Sequence, residues 1–137
     1  MTSPNHDRVF IKKRAGFVKL CLQHGVSIRP VYVFGEKGLY WNIQGAWNFR
    51  INVLNRNNLP AIFTWGNPLL PLLPRGNVDV KVVVGAPIDL PKIDNPTKEA
   101  VQEWHAKYMS SLTALFEEHK EAAYGAEAAK TAKLELW

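Results

Sequence analysis

Val101, Trp104, Tyr108, Leu112, Leu115 and Phe116 recur at the spacing of one helix face, and no other pattern constrains this chain as strongly. Asn95-Pro96-Thr97 supplies a cap and a proline suited to a helix start. Gly125 supplies a stop, so a helix is predicted to run to about Ala123, roughly 40 Å at 1.5 Å per residue. Lys98, Glu103, Lys107 and Glu118 lie on its other, solvated face. A stripe of that length needs a core to sit on. The chain has 137 residues, 47% of them hydrophobic, which is enough for one small folded domain and too apolar for disorder.

The rest of the chain reads as helix and strand in alternation. Residues 1–7 read as a loop. From about Val9 to His24 the apolar Phe10, Phe17, Leu20 and Cys21 recur near helical spacing, and Gly25 suits a left-handed C-terminal stop. Gly16 costs about 1 kcal/mol inside a helix, so this one could begin near Ala15. Ser27–Phe34 reads as a strand apolar on both faces, hence covered on both, with Pro30 at a ladder gap or sheet margin. Gly35 and Glu36 follow at its C-terminal end, the edge where open α/β sheets bind ligands. A short helix from about Ala46 to Asn55 and a short strand from Pro60 to Trp65 come next, then a turn-rich segment through Arg75. Val78, Val80, Val82 and Val84 alternate with Asp79 and Lys81 as in a strand. Gly85-Ala86-Pro87 breaks it, and Ile88-Asp89-Leu90 is a brief continuation. The fold class is α/β, with one domain over 1–137 and a loosely ordered tail over 124–137. No internal repeat is visible.

Composition narrows the partners. The net charge is +5 and the basic residues concentrate early, in Arg8, Lys12, Lys13, Arg14, Lys19 and Arg29. Such a patch suits nucleic acid, anionic lipid headgroups or a phosphorylated cofactor such as coenzyme A; equally it suits a solvated helix face. Without an RNA-binding aromatic motif or zinc spacing, nucleic acid is set aside. Cys21 is the one cysteine. It excludes an internal disulfide, fits a cytosol-facing location, and reads as a buried small residue on the apolar helix side. No metal site is expected. No signal peptide is visible, and no window reaches the roughly 18–20 apolar residues of a membrane span. The most apolar stretch, Leu59–Pro74, is interrupted by Pro60, Gly66, Pro68 and Pro71. Contact with a membrane would therefore be at its surface or through a segment outside these residues.

Arg14-Ala15-Gly16-Phe17-Val18-Lys19-Leu20, then Gln23-His24-Gly25 and Pro30-Val31-Tyr32-Val33-Phe34-Gly35-Glu36, resembles one ordered block of the diacylglycerol acyltransferase 2 family. Cys21 stands near that block's small residue, and Arg29 replaces its aliphatic residue. Three later segments are similar to further family blocks: Thr64-Trp65-Gly66 through Leu72-Leu73-Pro74, Val82-Val83-Val84-Gly85-Ala86-Pro87-Ile88, and Leu115-Phe116-Glu117-Glu118-His119-Lys120. Together they cover about residues 8–121 and look like the family's C-terminal portion. The family's His-Pro-His-Gly catalytic block does not occur in the 137 residues.

The resemblance implies transfer of a fatty acyl group from a coenzyme A thioester to a lipid hydroxyl, with a histidine as general base. Acyl-coenzyme A is then a co-substrate, and no cofactor is implied. The acceptor could be diacylglycerol, monoacylglycerol, a wax alcohol or a sterol. The setting would be the cytosolic face of the endoplasmic reticulum membrane or a lipid droplet, and homo-oligomerisation is left open. In the wider superfamily the histidine precedes an aspartate by five positions. Five residues after His6, His24, His105 and His119 come Ile11, Arg29, Ser110 and Tyr124, so no catalytic residue is assigned. His24 and His119 read as helix-end residues, and His105 as a packing residue.

Arg14, Gly16, Phe17 and Glu36 are the candidate substrate or coenzyme A contacts. Arg14 can grip a phosphate in two-pronged fashion near a helix start, or be a surface arginine. Glu36 can orient a substrate hydroxyl, pair with Arg14, or be an ordinary strand-end carboxylate. Gly16, Phe17 and Gly35 also read as close-packing and turn residues. Trp41, Trp47 and Trp65 suit a small core, slightly favoured from sequence alone, or a membrane interface, toward which the resemblance leans. Ala132–Trp137 is similar to short C-terminal retrieval signals.

Overall fold

The computed structural model describes residues 6–42, 56 and 64–137, and they divide into two compact units, one of 1–34 with 81–137 and one of 35–80. In the first unit the chain runs β1 (His6–Val9), α1 (Gly16–His24), β2 (Val31–Phe34), β5 (Lys81–Val84), α2 (Lys98–Tyr124), α3 (Ala126–Thr131) and β6 (Lys133–Leu136). The second unit carries a 3-10 turn (Glu36–Gly38), β3 (Trp41–Asn42) and β4 (Thr64–Trp65). The architecture is mixed α/β. Among the described residues the strands form three separate two-stranded sheets: β1 with β6, β2 with β5, and β3 with β4.

α2 holds the first unit together. Thr97 caps it through its hydroxyl, which accepts from Ala100 N–H at 3.2 Å, and 27 residues later it gives way to Gly125. Both predicted boundaries therefore hold to within a residue or two. Its first half covers α1, where Val18, Leu22 and Leu90 are buried with Phe17, Ile28, Val101 and Trp104 around them. Its second half covers β2, where Phe34 and Phe116 stack at 5.6 Å with Tyr32 and Tyr124 edge-on. One helical stripe thus serves two apolar clusters.

Three sequence expectations change. Residues 6–9 form a strand, not a loop or helix, and α1 begins only at Gly16. A glycine is least costly there, because the first turn's N–H groups have no intrahelical partner and the interior penalty does not apply. Gly25 closes α1 in the left-handed conformation, φ +62, as expected. The stretch 124–137, read as a loosely ordered tail, holds α3 and β6. β6 pairs with β1 in parallel, from His6 opposite Lys133 to Val9 opposite Leu136.

The β2 expectation also needs correction. α2 covers the side bearing Tyr32, Phe34 and Val83, whereas Val31, Val33, Val82 and Val84 are exposed on the other. α1 packs on α2 and does not cover that second side. The ladder with β5 is antiparallel and has four rungs, Val31 opposite Val84 through Phe34 opposite Lys81. Val78–Val80 is consequently outside the strand. Pro30 sits just before β2, where its carbonyl accepts from Gly85 N–H at 2.8 Å and no ladder donor is missed. Ile88 forms an isolated bridge with Ile28, the brief continuation expected. Trp47 and the helix predicted over Ala46–Asn55 lie outside the described residues, as does most of the strand predicted over Pro60–Trp65.

Candidate functional site

β1 and β6 build a groove at the start of α1. Beyond the ladder, Trp137 N–H donates to the Val9 carbonyl at 2.9 Å. Its own carbonyl accepts from Ile11 N–H at 2.8 Å and Lys12 N–H at 2.6 Å. These bonds seat Phe10 against Trp137, ring centroids 5.8 Å apart, and turn the chain so that Lys12, Lys13 and Arg14 stand along one wall. Arg14 N–H closes the turn on the Ile11 carbonyl at 2.9 Å. The result is an open groove of about 520 Å³ lined by those five residues and Leu136. The side chains of Lys12, Lys13 and Arg14 have no ion pair among the described residues, and no acidic residue stands in the first turn of α1. Three cations beside an exposed aromatic pair suit an anion that carries a ring or an apolar chain.

Of the four predicted contacts, Arg14 lines this groove. Gly16 begins α1, and a Cβ added there would meet nothing within 4 Å. Close packing therefore does not explain it. Phe17 turns into the core, edge-on to Tyr108 at 5.2 Å and to His105 at 6.1 Å. Glu36 belongs to the second unit, exposed at the start of the 3-10 turn. It does not stand at the carboxyl edge of a parallel sheet, because β2 pairs antiparallel with β5. Gly35 is a turn residue as read: its φ is +84, and a Cβ would lie 2.1 Å from the Asp79 carbonyl oxygen.

The histidines are scattered. His24 is exposed in the last turn of α1. His105 is only 4% exposed, and its Nε2 has no hydrogen-bond partner. His119 holds Nδ1 3.0 Å from the Leu115 carbonyl, with Glu118 4.0 Å away. Cys21 is half-buried against the α1 cluster. Trp41 and Trp65 face each other across β3 and β4, 50% and 45% exposed, which corrects the core reading slightly favoured from sequence. The Arg75 guanidinium lies 4.4 Å from the Trp41 ring centre.

A pair that sequence reasoning missed ties β1 to the end of α2. Tyr124 donates to Asp7 Oδ2 at 3.0 Å, and Asp7 is buried. Nothing in the sequence marks it, since 117 residues separate the partners. Burial first, then the negative charge of Asp7, raise the Tyr124 phenol well above its ordinary value of 10.0. A raised value in the folded state means that the fold keeps the neutral phenol. Its contribution is therefore complete below pH 10 and is lost as pH climbs beyond. Tyr124→Phe should lower thermal stability near neutrality, by about 1–3 kcal/mol for a buried carboxylate that loses a donor. It should also flatten the loss of stability above pH 10. Parallel alkaline melting curves for the two proteins would refute this linkage.

The described residues thus form a mixed α/β chain built around one long helix. The family model described as "Diacylglycerol acyltransferase" matches residues 1–136, and the chain belongs to that family. Human 2-acylglycerol O-acyltransferase 3 is 39% identical over 130 residues, which are 87% of this chain and 38% of that protein. Mouse acyl-CoA wax alcohol acyltransferase 2 is 37% identical over 133 residues, with the same two shares. Diacylglycerol O-acyltransferase 2 of Xenopus tropicalis is 36% identical over 132 residues, 85% of this chain and 35% of the relative. The chain thus spans less than two fifths of the length of these relatives. No solved structure matches it.

Proposed function

We propose that the chain is the C-terminal portion of an acyl-coenzyme A:lipid O-acyltransferase, of the diacylglycerol-acylating, triacylglycerol-forming kind. It works at the cytosolic face of the endoplasmic reticulum membrane or on a lipid droplet. Its part is to hold the co-substrate and to supply scaffold, while the general base belongs to a His-Pro-His-Gly block outside these 137 residues. The observation that carries the reading is the groove beside α1. Lys12, Lys13 and Arg14 answer the phosphates of coenzyme A, and the exposed rings of Phe10 and Trp137, the latter with the Arg8 guanidinium 5.1 Å from its centre, answer its purine. Glu36 remains a proposed contact of the acceptor hydroxyl. A second reading, a non-catalytic lipid-binding protein on the same fold, is favoured by the exposed apolar side chains of the second unit.

Titration of the 137-residue chain with coenzyme A and with oleoyl-coenzyme A tests this. Arg14→Ala should weaken both by about 1.5–3 kcal/mol, the worth of a charge-assisted hydrogen bond. Arg14→Lys should recover only part, since an ammonium keeps the charge and loses the planar fork. Stability should move by about 0.5 kcal/mol or less, because Arg14 is exposed. Unchanged affinity in both variants would make Arg14 a surface residue and remove the co-substrate role from the groove.

A further inference from the structure

We propose that the turn Leu69–Leu73 is a membrane-surface anchor, a rigid apolar wedge that enters the headgroup and upper acyl region of a bilayer. Leu69 and Leu72 are each 90% exposed, and Leu70 and Leu73 are exposed beside them. Residues 64–78 contain a single charge, Arg75. Exposed leucines alone would not distinguish a lipid partner from a protein one. The tryptophans and the arginine of the same unit favour lipid.

Gly66 N–H donates to the Pro71 carbonyl at 3.0 Å, Asn67 N–H to Leu73 at 2.8 Å and Leu73 N–H to Leu70 at 2.9 Å. Leu69 N–H donates to the Asn67 side chain at 2.9 Å, and the Leu72 carbonyl accepts from the Tyr40 hydroxyl at 3.2 Å. Pro68, Pro71 and Pro74 have no N–H to satisfy. Several backbone groups of the turn are thereby paired within the second unit, so fewer of them lose water on entering the headgroup layer. The two ends of the turn approach closely: a Cβ on Gly66 would lie 1.8 Å from the Leu73 carbonyl oxygen. At its base the half-exposed Trp41 and Trp65, with Arg75 over Trp41, provide the aromatic and cationic groups that settle at headgroup level. Among the described residues no helix is long and apolar enough to cross a membrane, so this contact is interfacial.

This deepens the membrane-surface part of the reading above but is tested apart from it, because vesicle flotation needs no coenzyme A and the titrations need no vesicles. The 137-residue chain is floated with phosphatidylcholine vesicles, with and without phosphatidylserine, at low and high salt. The wild-type chain is expected to float with both vesicle types and to stay bound at high salt. Leu69→Asp with Leu72→Asp should cut the floated fraction at least about tenfold. Both positions are solvent-facing, so the melting temperature should hold. Leu20→Asp, an exposed leucine of the first unit, serves as control and should float like wild type. Three results would overturn the anchor: wild type that does not float, a double variant that floats undiminished, or equal loss in the Leu20 control. A double variant altered only in self-association would assign the turn to a protein contact and overturn it too.

Discussion

Incubated with oleoyl-coenzyme A and diacylglycerol, the 137-residue chain is expected to form no triacylglycerol above the uncatalysed background. General-base catalysis needs an imidazole within hydrogen-bond reach of the hydroxyl, oriented by a second group. His24 sits exposed at a helix end, with no carboxylate bonded to it among the described residues. His105 is sealed in the core behind Phe17. His119 comes nearest, since Glu118 lies 4.0 Å away, yet its Nδ1 faces the Leu115 carbonyl of its own helix. None of the four precedes an aspartate by five positions. Binding and positioning without a base would still leave most of the barrier in place. Product formed by the purified chain, and abolished by changing one histidine, would refute this; His119→Ala is the first variant to examine.

Local and long-range features of the fold were legible to different degrees. The stripe from Val101 to Phe116 and the Thr97 and Gly125 boundaries are local signals, and α2 reproduces them. Gly25 and Gly35 were readable for the same reason: a left-handed φ is a property of one residue and its neighbours. β1 was not readable. His6–Val9 is short, and its strand partner among the described residues is β6, more than 120 residues away, so its pattern merged with the helical one that follows. The groove suffered likewise. Arg14 was singled out from its place before a helix, but Phe10 and Trp137 meet only because β1 and β6 pair. Asp7 with Tyr124 is a third consequence of that pairing. The exposed sides of β2 and β5 misled the reading in the opposite direction, because a run of valines predicts burial and cannot say whether a covering layer is present.

Replacing Phe116 by alanine is expected to have the largest effect of any single change on stability. Phe116 is fully buried, stacked on Phe34 at 5.6 Å and met edge-on by Tyr32 at 5.1 Å. Truncation removes the ring that joins α2 to β2, and the aromatic neighbours are too large to collapse into the space. Such changes cost about 3–5 kcal/mol. Folded domains are stable by about 5–15 kcal/mol in all, and small ones lie toward the low end. A large share of the first unit's stability therefore hangs on one ring. The groove would go with it, since Ala132 and Leu134 of the β6 side belong to the same apolar cluster as Phe116. Leu20→Ala is the matched contrast: the side chain is exposed on α1, and alanine favours the helix, so a change within about 0.5 kcal/mol is expected. Urea unfolding of the three proteins separates the cases. A loss below about 1 kcal/mol at Phe116 would mean that α2 is held to β2 by something other than this cluster.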